Sequence, residues 1–199
     1  NGADRPPHPG IPDFVKTLQL NHAADGEVML AYAMNGEDLP PLNGYPLRLI
    51  VPGWYGTYWI KHLTDVVVLD RPAEAFWMDK AYRVPATDCA CVPAGEPAGA
   101  TVPISRMNVR SFVSSHADGA SARRGKIRLA GFAFDGGSGI RRVDVSTDGG
   151  GNWRRARLGP DRGRYAFRGW SAVVELPPGE HSIRVRAENN LGAGQPMTA

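Results

Sequence analysis

The sequence is short of features that often reveal a protein's class. No apolar run approaches the roughly 20 residues of a membrane-spanning helix, so none is predicted in these 199 residues. There are only two cysteines, Cys89 and Cys91, separated by one alanine. That spacing is too short for an ordinary disulfide and is not by itself a zinc signature. We interpret the pair as small loop residues and expect no metal or redox role for them.

The N-terminus also lacks a starting methionine and a signal peptide, so we expect a processed chain or a part of a longer protein. Hydrophobic residues make up 42% and charged residues 22%, which is ordinary for a globular domain. Glycine (24) and proline (17) are abundant. Both residues interrupt regular structure, so the composition favours many short strands and turns over long helices.

The two parts of the chain carry opposite net charge. Residues 1–103 contain seven basic and twelve acidic residues, a net charge of −5, whereas residues 104–199 contain sixteen and eight, a net charge of +8. This asymmetry indicates a boundary between two domains. The arginines of the basic part are spread over strand-like segments, which favours a solvated face or an acidic protein partner over nucleic acid.

Residues 43–61 carry the densest pattern in the chain. A turn at Asn43-Gly44 leads into an apolar run, Leu47 to Val51, that is broken only by Arg48. Pro52-Gly53 ends the run, and an aromatic loop then leads to Lys61. Two cations beside a tight turn with free amide groups suit a phosphate. The alternative is a buried strand with a snorkelling arginine and a surface lysine.

This stretch resembles the pterin-binding segment of the sulfite oxidase family of molybdenum enzymes. The matching pattern is Asn43-Gly44-Tyr45-Pro46 with Arg48, then Val51-Pro52-Gly53 and the loop ending at Lys61. The segment Phe76 to Arg83 matches as well, and is most similar to the bacterial sulfite dehydrogenases that reduce a cytochrome c. The resemblance extends over nearly the whole chain.

The resemblance implies a molybdenum-molybdopterin cofactor and assigns roles to particular residues. Tyr82, five residues after Trp77, would face the metal and the substrate. A tyrosine can hydrogen-bond an anion while carrying no charge itself; packing alone is the alternative for this aromatic residue. The pterin and its phosphate would be held by Asp4, Asn43, Arg48, Trp59, Ile60 and Lys61. No metal ligand is implied within this chain.

The expected fold class is α+β. Residues 1–91 would form the C-terminal part of a sulfite-oxidase-like molybdopterin domain, and the proline-rich residues 92–103 a linker. Residues 104–199 would form an all-β immunoglobulin-like dimerisation domain that lacks its last strand, because several short alternating segments are separated by glycine-rich turns. Strands are predicted at 14–20, 47–51, 64–69, 108–114, 126–134, 140–146, 153–158, 164–175 (with an interruption) and 181–187. Residues 27–35 are ambiguous between helix and strand, and the resemblance implies a strand that ends in a hairpin turn.

Two functional hypotheses follow. In the first, the chain is part of an enzyme that oxidises sulfite to sulfate in the bacterial periplasm, works as a homodimer and passes electrons to cytochrome c. The cysteine that ligates molybdenum in this family, an upstream basic residue and a C-terminal arginine are then expected outside this chain. In the second, the chain is a non-catalytic dimerisation module without molybdenum. The resemblance leaves the substrate open among sulfite, nitrate and other sulfur compounds.

Overall fold

The computed structural model describes residues 9–71 and 73–197 and divides the chain into two units, Asn1–Arg106 and Met107–Ala199. The regular secondary structure of both units is mostly β-strand. The helical part of the expected α+β fold is limited, within the described residues, to two four-residue helices and two single 3₁₀ turns. Asp4 lies outside the described residues.

The first unit contains six strands in three small antiparallel ladders. Strand β1 (Met29–Ala31) pairs with β4 (Arg48–Ile50), and β2 (Ala33–Met34) pairs with β3 (Glu37–Asp38). Strand β5 (Arg83–Pro85) pairs with β6 (Thr101–Pro103). The helices are α1 (Leu20–Ala23) and α2 (Phe76–Asp79), and the 3₁₀ turns are Pro41–Asn43 and Gly56–Tyr58.

The hairpin predicted at Met34-Asn35-Gly36 is present. Asn35 and Gly36 have φ angles of 55° and 85°, as a two-residue turn between twisted strands requires. The ambiguous segment 27–35 thus contains the strands β1 and β2 and no helix, in agreement with the alternation of its apolar residues. The apolar run 47–51 also contains a strand, β4, and Val51 is fully buried.

Two predicted strands of the first unit are wrong. Residues 14–19 are extended without a ladder partner, and Leu20 already begins α1. Residues 64–69 form no strand either, and Val66, Val67 and Val68 are 70–74% exposed. The β-branched run has the propensity for a strand, but a strand also needs a neighbour to pair with, and the ladders of this unit provide none for it.

Two expectations for residues 86–103 also need correction. The end of the predicted linker, Thr101–Pro103, is strand β6, because it pairs with β5 residue for residue. Cys89 and Cys91 form a disulfide with a Cα–Cα distance of 5.1 Å, contrary to the interpretation as two unlinked loop residues. Ala90, between them, has a φ of 49°, and this left-handed turn lets two cysteines so close in sequence face each other.

The second unit is a pair of antiparallel sheets. One sheet has the order β11-β12-β8-β7 and the other β10-β9-β13. The strands are β7 (Arg110–Val113), β8 (Gly125–Phe134), β9 (Ile140–Ser146), β10 (Arg154–Arg155), β11 (Arg157–Leu158), β12 (Arg168–Leu176) and β13 (Arg184–Asn189).

The inward-facing side chains of the two sheets form one core. Both sheets contribute, since the alternating pattern of each strand directs every second residue inward. The buried members are Val109, Leu129, Ala133, Ile140, Val143, Val145, Ala156, Trp170, Val174 and Ala187.

Each segment predicted as a strand in this unit contains a strand, although β12 and β13 begin later than predicted, at Arg168 and Arg184. The segment 153–158 divides at the buried Ala156, so that β10 pairs with β9 in one sheet and β11 pairs with β12 in the other. The chain crosses between sheets at a small residue because its side chain must fit into the core at the crossing. Alternation within a segment does not reveal such a crossing, which is why one strand was predicted.

Candidate cofactor site and the Tyr82 cluster

The turn at Asn43-Gly44 is shaped by a glycine that no other residue replaces without strain. Gly44 follows the 3₁₀ turn and has a φ of 107°. A Cβ at this position would lie 3.1 Å from the Cβ atoms of both Arg48 and Lys61. The missing side chain therefore lets the two cationic residues pack against the turn. The peptide bond between Tyr45 and Pro46, just after this turn, is cis.

Arg48 connects this turn to the aromatic loop. Its Nη1 donates to the carbonyl of Asn43 at 2.9 Å and its Nη2 to the carbonyl of Trp59 at 3.5 Å. Its Cζ lies 5.8 Å from the centroid of the Trp59 ring. Removal from water lowers the pKa of the Arg48 guanidinium. Its Nε is buried and has no hydrogen-bond partner within the described residues.

Lys61 lies on the other side of the same turn. Its Nζ donates to the carbonyl of Leu42 at 3.1 Å, next to the carbonyl that Arg48 uses. The two residues before Lys61 anchor the loop: Trp59 donates through Nε1 to the carbonyl of Val51 at 2.7 Å, and the carbonyl of the buried Ile60 accepts from the amide of Leu49 at 2.8 Å. The structure thus brings Asn43, Arg48, Trp59, Ile60 and Lys61 together around one turn.

The positive charge of this turn is not balanced nearby. No carboxylate within residues 9–71 and 73–197 forms an ion pair with Arg48 or Lys61. The amides of residues 43–45 and 58–60 donate to carbonyls of the same loop region, so the free amide groups expected from the sequence are engaged. Side-chain cations, rather than backbone N–H groups, are what this turn offers to an anion.

Tyr82 belongs to a second cluster in the same unit. It has a φ of 53°, and its side chain is 47% exposed. Its ring lies 5.9 Å from that of Trp77 on α2 and 6.0 Å, edge-on, from that of Phe14. Its carbonyl accepts from the amide of Ile104 at 2.8 Å. The backbone of Tyr82 is therefore fixed while the phenol faces outward.

Sequence reasoning missed two residues of this cluster, Lys16 and Tyr58. The Lys16 ammonium lies 4.6 Å from the ring centroid of Tyr82 and 5.2 Å from that of Tyr58. The Tyr58 hydroxyl donates to the carbonyl of Ile104 at 2.6 Å, and burial raises the pKa of Tyr58. No local motif marks Lys16, because Tyr58, Trp77 and Tyr82 lie more than 40 residues away in the sequence.

Each of the two units matches a known protein family. Residues 1–77 match the family described as oxidoreductase molybdopterin binding domain, and residues 101–199 match the Mo-co oxidoreductase dimerisation domain. Human mitochondrial sulfite oxidase is 32% identical over 178 residues, which is 85% of this chain and 32% of that protein. The chain belongs to the sulfite oxidase family.

Other proteins similar to this chain differ in what their names say they act on. Barley nitrate reductase [NAD(P)H] is 30% identical over 215 residues, covering 98% of this chain and 24% of that protein. The crystal structure of the sulfane dehydrogenase SoxCD from Paracoccus pantotrophus superposes with a TM-score of 0.72 at 30% identity, covering 86% of this chain and 42% of that chain. The chain thus spans about a third of the length of human sulfite oxidase and less than half of the SoxCD chain.

The Asn43–Lys61 region fits the molybdenum cofactor that this family implies. Molybdopterin carries a phosphate and a hydrogen-bonding pterin, and the region offers two unpaired cations together with the buried, unpartnered Nε of Arg48. The donor set is therefore that of an anion site. The two cysteine sulfurs of this chain are joined in the Cys89–Cys91 disulfide, so neither supplies a thiolate.

No helix among the described residues is long and apolar enough to cross a membrane.

Proposed function

We propose that the chain is part of an enzyme that oxidises sulfite to sulfate and passes the electrons to a cytochrome c. The overall reaction takes one oxygen atom from water and releases two protons and two electrons, which two one-electron cytochromes accept. Membership of the sulfite oxidase family supports the reaction class, and the unpaired cations Arg48 and Lys61 are the observation on which the proposal rests.

The family resemblance supports the following roles for the cofactor-binding residues. Arg48 and Lys61 neutralise the phosphate of the cofactor, and Trp59 and Ile60 hold the loop that carries Lys61. Asn43 offers an amide side chain beside the carbonyl that Arg48 binds. Asp4 would accept hydrogen bonds from pterin N–H groups. When bound, molybdenum supplies the two-electron redox chemistry that no side chain of this chain provides.

Tyr82 is the residue that we assign to the substrate. Its phenol is half-exposed, and its backbone is fixed by the hydrogen bond from Ile104. An O–H donor held in place stabilises an oxyanion best where negative charge develops in the transition state. Tyr82 would therefore donate a hydrogen bond to an oxygen of sulfite or sulfate.

A steady-state assay tests the proposed reaction. The purified enzyme, with its remaining segments, should reduce cytochrome c when sulfite is added and should contain molybdenum by elemental analysis. Activity with nitrate and none with sulfite would overturn the substrate. Absence of molybdenum would favour the alternative, a dimerisation module without catalysis, which the match of residues 101–199 supports.

We further propose that the second unit is an immunoglobulin-like domain that joins two copies of the chain. On the outward face of its four-stranded sheet, Phe112 and Phe132 are cross-strand neighbours and Val173 lies opposite Arg128, and the three apolar residues are 40%, 41% and 63% exposed. The match to the dimerisation family favours a second copy of the chain as the partner on this face, and a symmetric dimer would cover the same face of each copy at once.

The resemblance to bacterial sulfite dehydrogenases supports a periplasmic location.

A further inference from the structure

Lys16 is a half-buried cation enclosed by aromatic rings. Its Nζ lies 4.6, 5.2 and 5.8 Å from the ring centroids of Tyr82, Tyr58 and Phe14. An ammonium over an aromatic face is attracted by the ring quadrupole, and more strongly when water is excluded. None of the carboxylates in the described part of the chain forms an ion pair with it.

The same ammonium holds the end of helix α2, from which the chain turns into Tyr82. It donates to the carbonyl of Trp77 at 2.5 Å, and Arg83 donates to the next carbonyl, that of Met78, at 2.6 Å. Carbonyls at the C-terminal end of a helix lack partners within the helix, and cations satisfy them well. Lys16 therefore fixes both the ring of Tyr82 and the backbone that leads to it.

We propose that the charged form of Lys16 is a positioning residue, which orients the Tyr82 phenol for catalysis. This inference rests on the proposed role of Tyr82. Lys16 acts through the ring of Tyr82 and through the Trp77 carbonyl, so its loss should change kcat with little effect on KM. A lysine that bound the substrate anion directly would instead raise KM.

The charge of Lys16 is sensitive to pH in the working range. Burial lowers its pKa from 10.5 to about 8. Below that pH the ammonium is charged and attracts the Tyr82 ring, and above it the neutral amine loses this attraction. The other ionisable groups around it are Tyr58, Tyr82, Asp13 on its own segment, and Asp79 and Arg83 on and after α2.

The test compares Lys16→Met and Lys16→Arg in the molybdenum-loaded enzyme between pH 6 and 10. In the unsubstituted enzyme, kcat should fall about three- to tenfold with a midpoint near pH 8. Lys16→Arg keeps the charge, so it should retain kcat at pH 7 and show no fall of kcat as the pH rises through 8. Lys16→Met carries no charge, so at every pH its kcat should equal the reduced kcat of the unsubstituted enzyme at high pH. Lys126→Met, a lysine of the second unit, is the control for loss of one charge.

A second readout does not depend on activity. Reductive ¹³C-methylation followed by NMR titration should give a Lys16 signal with a midpoint near 8, assigned by its absence in Lys16→Arg. A midpoint near 10.5 would overturn the inference. So would a pH profile that Lys16→Arg leaves unchanged.

Combination with Tyr82→Phe separates the two proposals. If Lys16 acts through the phenol, Lys16→Met should have little further effect in the Tyr82→Phe background. An equal loss in both backgrounds would overturn the positioning role while leaving Tyr82 catalytic. A Tyr82→Phe enzyme with unchanged kcat would overturn the role of Tyr82 itself, and the inference for Lys16 with it.

Discussion

Arg48 and Lys61 donate to adjacent backbone carbonyls, those of Asn43 and Leu42, and both pack against Gly44. Thirteen positions separate them in the sequence, and the packing of the aromatic loop on strand β4 brings them to one turn. Their side-chain charges have no carboxylate partner among the described residues. An anion bound beside both groups would supply the negative charge that this turn lacks.

Gly44→Ala tests whether the shape of this turn matters for the cofactor. A new Cβ would press on the Cβ atoms of Arg48 and Lys61 at 3.1 Å and would strain a φ of 107°. We expect the variant to lose molybdenum more readily than the unsubstituted enzyme on dialysis. Gly36→Ala is the matched control, because Gly36 also has a positive φ of 85° but open space around it. Equal molybdenum content in the two variants would show that the close packing at Gly44 is unimportant.

Tyr82→Phe removes the phenol O–H and keeps the ring against Trp77 and Phe14. If the O–H stabilises charge mainly in the transition state, kcat and kcat/KM should fall together, by about ten- to a thousandfold. If it holds the substrate in the ground state, KM should rise with kcat little changed. Molybdenum content should stay normal. Tyr32→Phe is the control, because Tyr32 is 72% exposed. If both variants have the same kcat and KM, Tyr82 serves only as a packed aromatic residue.

Phe132→Glu tests the proposed dimer face. The Phe132 ring lies 6.0 Å from that of Phe112 on the outward side of the four-stranded sheet, and a carboxylate there would be costly to bury in an interface. We expect sedimentation velocity at micromolar concentration to give a dimer for the unsubstituted enzyme and mostly monomer for the variant. Leu191→Glu is the control, since Leu191 is 83% exposed and lies after β13. A variant that stays dimeric would place the interface elsewhere.

The second unit was the more predictable from sequence. Its strands alternate between apolar and polar residues, as in Arg142-Val143-Asp144-Val145, and most of its connections carry a glycine-rich turn. In the first unit the same reasoning failed at residues 14–20 and 64–69, since propensity does not say whether a neighbouring strand is available. The disulfide was missed because the left-handed turn at Ala90 is not evident from residue type.

The candidate site residues likewise include some that the sequence predicts and some that only the fold brings together. Asn43, Arg48 and Lys61 lie in one contiguous motif, so their grouping could be predicted from the sequence alone. The contribution of Lys16 required folding, because Tyr58, Trp77 and Tyr82 come from distant segments. Amide groups predicted to bind phosphate were found in hydrogen bonds within the loop, and spacing alone does not indicate which amides are used.

The molybdenum content of Arg48→Ala and Lys61→Ala, measured by elemental analysis after extensive dialysis, tests the central claim most directly. A charge-assisted hydrogen bond contributes on the order of 1.5–3 kcal/mol, so each change should weaken cofactor retention about ten- to a hundredfold. Arg71→Ala, which removes an exposed arginine of the same unit, should leave the content unchanged. Depletion of molybdenum in the first two variants alone is the result expected here. Full occupancy in both would contradict the assignment of the Asn43–Lys61 turn as the cofactor site.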